Sequence, residues 1–433
     1  MTVGSTKLHM FWIFCLALVS TTAGYLGSRF DPRYSPCSES LPESQRLRRN
    51  CSPLKPMLLH YLKKSVCNDG SVAGYYLRRR SGSTNWLIYL EGGGYCVNKE
   101  TCAERLIMSK SKKFSLVSIR GSSKKKFVTG ILSTQLKTNP LWWNSNHVYI
   151  PYCSSDIWTG NKTADKKGGF SFLGARIIDE VVSDLYVNRG LDKGTNLTLA
   201  GSSAGGTGVM LNIDRVADNL KEKGSKIKVQ GIVDSGWFLD NDLIKSLNCG
   251  LPNGHCKPSD VIKAAMKFWH ADLPARCISG KSVDKHHLCL FGDKLYPTLK
   301  SPIFVIQWIY DLAQIKEDNP ELESSLRMLM RKQYGPYMAY LGKRVRESLN
   351  IVKHFFAPSC LGHTILTREQ WLGTRVGPRT LFGALECWLL KKRSSCQFTD
   401  KCQMPHCSDS CPYKIETHNG DIPIRRITGD FSL

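Results

Sequence analysis

Short apolar runs alternate with amphipathic stretches along most of this chain. Three runs have the length and composition of buried strands: HVYIPYC (147–153), KVQGIVD (228–234) and PIFVIQWIYD (302–311). Residues 175–187 and the stretch that stops at Gly224 instead place apolar residues at helical spacing. Strands that alternate with helices predict an α/β fold, with a mostly parallel sheet covered by helices on both faces.

Two further strand-like runs flank a turn sequence. AGYYLRRR (73–80) and NWLIYLEGG (85–93) lie on either side of SGST, which predicts a hairpin. No internal repeat or low-complexity linker interrupts the pattern. We therefore expect one domain over residues 25–433 that ends in a cysteine-rich segment.

The first 24 residues are typical of a secretory signal peptide. Lys7 precedes the apolar run MFWIFCLALV, and small residues follow up to Ala23 and Gly24, where we predict cleavage. A buried helix is the alternative for this run. No segment reaches the about 18 apolar residues of a membrane span, so we expect a secreted, extracellular protein without a transmembrane segment.

The cysteine content agrees with an oxidising compartment. Of the 17 cysteines, Cys15 lies in the predicted signal peptide, and the remaining sixteen can form up to eight disulfide bonds. Spacing does not fix the pairing, although Cys96 and Cys102 can close a small loop. Five cysteines predict a cross-linked C-terminal segment: Cys387, Cys396, Cys402, Cys407 and Cys411. His406 raises the alternative of a zinc site, but no paired CxxC spacing exists, so we expect neither metal nor cofactor.

The net charge of +24 implies an anionic partner. Basic residues form five clusters: Arg46 with Arg48 and Arg49, residues 78–80, Lys110 with Lys112 and Lys113, residues 124–126, and residues 391–393. Outside the cell these clusters favour sulfated glycosaminoglycans and anionic membrane surfaces, not nucleic acid. The alternative is a set of solvated faces that never converge. Three sequons predict glycosylation at Asn50, Asn161 and Asn196.

The stretch LTLAGSSAGGTGVMLN (197–212) joins a strand pattern to a helix pattern through small residues. Gly201, Ser203 and Gly205 form GxSxG at that junction. In this context the motif predicts that Ser203 is a nucleophile above the sheet, close to a helix N-terminus that favours developing negative charge. The alternative is an ordinary helix cap.

A serine nucleophile needs a base, an acid and oxyanion donors. Gly93 and Gly94 follow a strand and can supply backbone N–H donors, although a tight turn explains them equally. Asp311 ends a predicted strand and is the candidate acid, with Asp234 as the alternative. His363 follows both in the chain order of α/β-hydrolases and is the candidate base. Other histidines are better explained as structural: His270, His286 and His287.

The motifs YLEGGGYC, NPLWWNSNHVYIPYCSSDIWTG, GSSAGGTGVMLN, DSGWFLDN, QWIYDLAQ and FFAPSCLGH resemble the pectin acetylesterase family over most of the mature chain. The resemblance extends to the secreted palmitoleoyl-protein carboxylesterases of this family. It implies an α/β-hydrolase-like serine esterase that removes palmitoleate from a serine of Wnt proteins, antagonises Wnt signalling and binds heparan sulfate or glypican. It also implies the catalytic residues Ser203, Asp311 and His363 and an oxyanion hole at Gly93, Gly94 and Ala204.

The resemblance further implies an acyl pocket lined by Phe238, Ile262, Leu290, Phe291, Ala313 and Glu317. Three positions depart from these carboxylesterases: Gly94 replaces Trp, Leu290 replaces Phe and Glu317 replaces Val. A carboxylate beside a fatty acyl chain is unfavourable unless it turns to solvent. The sequence therefore leaves three functions open: a Wnt deacylase, an esterase for shorter acyl groups such as those of acetylated glycans, and a non-enzymatic glycosaminoglycan or Wnt binder.

Overall fold

A ten-stranded sheet forms the centre of the described part of this computed structural model. The structure describes residues 55–111, 116–164, 169–241, 257–319, 335–402, 405, 408–411, 413–415 and 424–426. The strands of the described residues are β1 (Met57–Val66), β2 (Val72–Arg78), β3 (Asn85–Leu90), β4 (Lys125–Lys126), β5 (Asn146–Ile150), β6 (Asn196–Ser202), β7 (Lys228–Asp234), β8 (Ile303–Ile306), β9 (Tyr310–Asp311), β10 (His354–Ala357), β11 (Leu361–Gly362), β12 (Arg375–Val376), β13 (Arg379–Thr380), β14 (Cys396–Thr399), β15 (Tyr413–Ile415) and β16 (Ile424–Arg426).

The strand order of the large sheet is β14-β10-β8-β7-β6-β3-β5-β2-β1-β4. The strands from β14 to β5 are parallel to one another, whereas β2, β1 and β4 pair antiparallel at one edge. The prediction of a mostly parallel sheet is therefore confirmed. The predicted hairpin is wrong: β5 lies between β2 and β3, because β3 pairs in parallel with β5 on one side and β6 on the other.

Helices cover both faces of this sheet. Their bounds are α1 (Lys99–Ser111), α2 (Gly174–Asn188), α3 (Ala204–Glu222), α4 (Pro258–Trp269), α5 (Ala275–Ile278), α6 (Gly292–Leu295), α7 (Leu312–Asp318), α8 (Gly335–Leu349) and α9 (Leu381–Leu389). The helix predicted over 175–187 is α2. α3 ends at Glu222, and Gly224 shortly after it has a φ of 75°, a left-handed conformation typical of helix ends.

Apolar side chains alternate between two cores, one on each face of the sheet. In β3, Trp86, Ile88 and Leu90 pack in the core that contains α2 and α3, while Leu87 and Tyr89 pack in the core that contains α9. Both sides of a strand are buried in such a layer arrangement, which explains why the sequence of β3 is apolar almost throughout. The fold is that of an α/β-hydrolase-like protein.

The run PIFVIQWIYD is not a single strand. β8 belongs to the large sheet and ends at Ile306. Tyr310 and Asp311 form β9, which pairs in parallel with β11 in a separate two-stranded sheet. The chain segment after β10 takes part in the same small sheet through Leu361 and Gly362. This pairing brings the residue before His363 beside Asp311.

Five disulfide bonds lie within the described residues. They join Cys67 to Cys153, Cys96 to Cys102, Cys277 to Cys289, Cys360 to Cys411, and Cys387 to Cys396. The predicted small loop at Cys96 is thus confirmed, and the predicted cross-linked C-terminal segment contains Cys387, Cys396 and Cys411. Cys402 is disulfide-bonded as well. His406 and Cys407, the alternative zinc ligands, lie outside the described residues.

Some further sequence predictions fall outside the described part of the chain. They are the signal peptide at 1–24, the sequon at Asn50, the basic cluster at Arg46, Arg48 and Arg49, and the cluster residues Lys112 and Lys113. Among the residues that are described, no helix is long and apolar enough to cross a membrane.

Candidate active site

Ser203 occupies a sharp turn between β6 and α3. Its φ of 57° and ψ of −127° are unusual for a residue with a side chain. Glycine is needed on both sides of it, because a Cβ at Gly201 would lie 2.3 Å from the Gly205 carbonyl oxygen, and one at Gly205 would lie 2.2 Å from the Leu90 carbonyl oxygen. The strand–turn–helix context expected for GxSxG is therefore present, and Ser203 lies at the N-cap of α3.

A glycine-rich loop after β3 packs directly against this turn. A Cβ at Gly92 would lie 2.4 Å from the Ser202 carbonyl oxygen and 2.8 Å from the Ser203 Cβ atom. Gly93 and Gly94 follow with φ values of 147° and 66°. Gly92 was missed in the sequence, where the run of three glycines is the signal for such a close approach.

Arg105 on α1 holds the glycine-rich loop from behind. Its guanidinium donates one hydrogen bond to the Gly93 carbonyl oxygen (2.6 Å) and another to Ser155 Oγ (3.0 Å). On the other side of the turn, Ala204 opens α3, so its N–H belongs to the first turn, where backbone donors have no acceptor within the helix. Backbone donors of the loop and of the helix start are thus both placed next to the serine turn.

His363 forms a hydrogen-bonded pair with the buried carboxylate of Asp311. The His363 Nδ1 atom lies 2.9 Å from Asp311 Oδ1 and 3.0 Å from Oδ2, and the Asp311 side chain is 1% exposed. Asp311 also caps α7 by accepting hydrogen bonds from the backbone N–H groups of Ala313 and Gln314. An ionised carboxylate accepts only, so Nδ1 carries the proton and Nε2 is left with a lone pair.

The surroundings of His363 favour its protonated form. Burial alone lowers the pKa of the imidazole, but the carboxylate of Asp311 and, more weakly, that of Asp234 raise it, and Arg368 opposes them. The net result is a pKa above the usual value for histidine. An imidazole whose protonated form is stabilised in this way accepts a proton more readily than a free imidazole.

Asp234, the alternative acid, ends β7 and has different partners. Its fully buried carboxylate accepts hydrogen bonds from Ser202 Oγ (2.6 Å) and from the N–H groups of Ile365 (2.8 Å) and Leu366 (3.0 Å). His363 Nδ1 donates its hydrogen bond to Asp311, not to Asp234. Among the two carboxylates, the geometry therefore favours Asp311 as the partner of the histidine.

The residues expected to line an acyl pocket differ in burial. Ile262, Leu290 and Phe291 are buried in the core that contains α3, whereas Phe238, Ala313 and Glu317 are partly buried. Phe238 is joined to the segment of Phe291 by a hydrogen bond from the Gly292 N–H to its carbonyl oxygen. Residues 242–256, which follow Phe238 in the chain, lie outside the described part of the structure.

Glu317 on α7 does not simply turn to solvent. Its Oε2 atom accepts a hydrogen bond of 2.9 Å from the Tyr95 hydroxyl, and Tyr95 directly follows the glycine-rich loop. Burial raises the pKa of Glu317, and Asp318 adds to this effect, while Tyr95 and Lys316 oppose it. The loop is therefore connected to the helix that Asp311 caps, a link that the sequence alone did not reveal.

The remaining predicted positions are distributed over the surface and the core. His270 caps the C-terminal end of α4, and His286 Nε2 lies 3.2 Å from the Lys281 carbonyl oxygen, while His287 is buried. Asn161 and Asn196 are exposed, and Asn196 starts β6. Both asparagines are accessible to a glycosylating enzyme, and glycosylation at these two sequons stays a prediction.

A strained serine beside a glycine-rich loop, with a buried histidine–aspartate pair nearby, is typical of α/β-hydrolase-type serine hydrolases. Residues 50–412 match the family model described as Pectinacetylesterase. The chain is 41% identical over 374 residues to the Homo sapiens protein named "Palmitoleoyl-protein carboxylesterase NOTUM", covering 82% of this chain and 73% of that protein.

Two other relatives agree with this result. The Xenopus laevis protein named "Palmitoleoyl-protein carboxylesterase notum1" is 42% identical over 371 residues, covering 82% of this chain and 74% of its own length. The Mus musculus protein named "Palmitoleoyl-protein carboxylesterase NOTUM" is 42% identical over 369 residues, with coverage of 82% and 72%. The chain belongs to the pectinacetylesterase family, a family of ester hydrolases.

Proposed function

We propose that this protein is a serine carboxylesterase in which Ser203 is the nucleophile, His363 the base and Asp311 the acid. The observation that carries the proposal is the hydrogen bond between His363 Nδ1 and the buried carboxylate of Asp311, formed in a structure whose GxSxG serine adopts the strained turn conformation. A binding protein has no need for this combination. The names of the relatives agree with an ester hydrolase.

The mechanism follows from these positions. Ser203 Oγ attacks the acyl carbonyl carbon while His363 Nε2 takes the hydroxyl proton, and Asp311 stabilises the imidazolium. The N–H groups of Gly93, Gly94 and Ala204 are the donors for the oxyanion. His363 then gives the proton to the leaving alcohol. In the second half of the reaction a water molecule attacks the acyl carbon while His363 takes its proton, and His363 returns this proton to Ser203 Oγ as the carboxylic acid leaves.

The test is the loss of esterase activity in the Ser203→Ala variant. Removal of a nucleophile or its base costs on the order of 10⁴–10⁶-fold in rate, so turnover of p-nitrophenyl esters should fall to background. Asp311→Asn and His363→Ala should be nearly as damaging. Thermal unfolding of each variant checks that the fold is retained. Wild-type turnover by Ser203→Ala would remove this serine from the mechanism.

The proposed substrate is a palmitoleoylated protein, as the names of the relatives indicate for those proteins. We take the acylated protein to be a Wnt, the substrate that the sequence resemblance implies. Incubation of the secreted protein with a palmitoleoylated Wnt, followed by mass measurement of the acylated peptide, tests this step directly. Loss of the palmitoleoyl mass with wild type, but not with Ser203→Ala, is the expected result.

One observation supports a second candidate substrate. The hydrogen-bonded pair of Tyr95 and Glu317 places polar groups next to the glycine-rich loop, where a long acyl chain gains nothing from them. A shorter acyl group, such as the acetate of an acetylated glycan, avoids that cost. Comparison of p-nitrophenyl acetate, octanoate and palmitate separates the two candidates.

The proposal extends to an extracellular protein held at cell surfaces by heparan sulfate or glypican. What supports it is the cluster Lys124–Lys126, because Lys124 and Lys125 are exposed and β4 lies at the edge of the sheet beside β1, which carries exposed Lys63 and Lys64. Not every residue of the basic clusters contributes to such a surface. Arg78 is buried and donates hydrogen bonds to the carbonyl oxygens of Lys55 and Leu132.

A further inference from the structure

A second buried carboxylate lies behind the serine turn. Asp234 connects two segments: its backbone carbonyl oxygen accepts a hydrogen bond from the Ser203 N–H (2.8 Å), and its side chain accepts from the N–H groups of Ile365 and Leu366. Those two residues follow His363 after a single intervening residue, Thr364. A single residue therefore contacts both the nucleophile turn and the histidine segment.

Neighbouring contacts reinforce this connection. The Ser235 hydroxyl accepts a hydrogen bond of 2.8 Å from the Thr364 N–H, and both residues have positive φ, 50° for Ser235 and 58° for Thr364. On the other side, the Tyr89 hydroxyl donates to Ser202 Oγ, which donates to Asp234. Backbone strain of this kind persists only where the surroundings hold it in place. The segment after His363 is thus fixed by several buried bonds that meet at the end of β7.

The charge of Asp234 also acts on the histidine. The groups that influence His363 are the carboxylates of Asp311 and Asp234, which favour the imidazolium, and the guanidinium of Arg368, which opposes it. Arg368 lies close to the histidine backbone, with its NH2 atom 3.5 Å from the His363 carbonyl oxygen. Removal of the Asp234 charge leaves this positive group opposed by one carboxylate instead of two.

We propose that Asp234 is a positioning residue of the hydrolytic site, which fixes the His363 segment against the Ser203 turn and stabilises the imidazolium formed during proton transfer. This inference rests on the proposed function. Asp311 accepts the hydrogen bond from the His363 ring directly, whereas Asp234 acts through the backbone of residues 364–366 and through its charge. It contacts neither substrate nor the reacting atoms.

The test is the pH profile of kcat/KM for p-nitrophenyl acetate in the Asp234→Asn variant. His363 must be neutral to act as base, so activity falls on the acid side of its pKa. Loss of a nearby negative charge lowers that pKa, and the acid limb should move to lower pH. The plateau value of kcat should fall on the order of 100-fold, because the histidine is less well placed, with KM little changed.

Asp156→Asn is the matched control. Asp156 is also fully buried and accepts hydrogen bonds from Ser154 Oγ and from the N–H groups of Trp158, Gly160 and Gly174, all outside the histidine segment. This variant should lose thermal stability without moving the acid limb. An unmoved limb in Asp234→Asn, with only a loss of stability, would overturn the proposal, as would a loss of activity as complete as that of Asp311→Asn.

Ser235→Ala covers the case in which Asp234→Asn does not fold. It removes the acceptor of the Thr364 N–H and leaves every charge in place, so kcat should fall while the acid limb stays where it is. A wild-type rate in Ser235→Ala would contradict the positioning role. Activity in Ser203→Ala would instead contradict the proposed function, so the two failures are distinguishable.

Discussion

Glu317 introduces an ionisable group at a position where the resemblance implies an apolar side chain. Its hydrogen bond to Tyr95 gives it a partner, and Tyr95 in turn packs edge-on against Trp269, with ring centroids 5.8 Å apart. At Gly94 there is room for a side chain, since a Cβ there would meet only the Arg105 guanidinium, at 3.6 Å. Glu317 and Gly94 offer less apolar surface than the side chains that the resemblance implies at these positions. We therefore expect them to change the selectivity for acyl chains and not the rate of the chemical step.

We predict that Glu317→Val raises the preference for long acyl chains. The ratio of kcat/KM for p-nitrophenyl palmitate to that for the acetate should increase roughly tenfold, since each buried CH₂ contributes about 0.8 kcal/mol. Glu347→Val is the control, because Glu347 is an exposed carboxylate on α8 that pairs with Lys343. Equal changes in both variants would indicate a general effect of charge, not of the pocket.

At the scale of elements, short strands and a disulfide position the histidine. β9 and β11 pair residues 310–311 with 361–362, and the bond between Cys360 and Cys411 fixes the chain immediately before β11. The histidine is thus held at a junction of a small sheet and a covalent cross-link, outside the large sheet. Loss of the cross-link should affect this junction first.

We predict that the double variant Cys360→Ser/Cys411→Ser loses activity at a lower temperature than wild type. The bond spans 51 residues, and removal of a native disulfide costs about 2–5 kcal/mol of stability. The control is Cys387→Ser/Cys396→Ser, whose bond spans 9 residues between α9 and β14. Residual activity after heating measures the difference, and a larger loss in the control would contradict the role of Cys360.

The sequence predicted elements better than it predicted their pairing. The GxSxG motif and the candidates Asp311 and His363 can be recognised from local patterns and from their order in the chain. In the structure, His363 donates a hydrogen bond to Asp311. The interruption of PIFVIQWIYD after Ile306 was not predictable, because apolar residues continue through it. Arg78 was assigned to a surface cluster, since nothing in its neighbours reveals the buried carbonyl oxygens that it contacts. Pairing and burial of this kind depend on residues distant in the chain.

At the scale of the whole molecule, two of the basic clusters lie at opposite edges of the sheet. The cluster Lys124–Lys126 includes β4 at one edge, and residues 391–393 precede β14 at the other. The two clusters therefore cannot form one patch. The edge at β4 is the better candidate for a polyanion, because exposed Lys63 and Lys64 lie further along β1, the strand with which β4 pairs.

We predict that heparin retains the protein through the β4 edge. At physiological ionic strength charges still interact over about 8 to 10 Å, so heparin should retain the protein there and release it only at a higher salt concentration. Lys63→Ala/Lys124→Ala/Lys125→Ala should elute at clearly lower salt. Lys391→Ala/Lys392→Ala/Arg393→Ala removes the same charge at the opposite edge and should elute close to wild type. Equal shifts would assign retention to net charge alone.

The strand order also has a consequence for biosynthesis. From β3 outward, the strands β6, β7, β8, β10 and β14 join the sheet in the order in which a ribosome delivers them. The proposed serine arrives with β6, its acid after β8 and its base after β10. Because a domain generally folds as a unit, the site can be completed only after the segment with the base has left the ribosome. A chain that ends before β10 therefore has the proposed serine but not its base, and activity begins only when the last strands are in place.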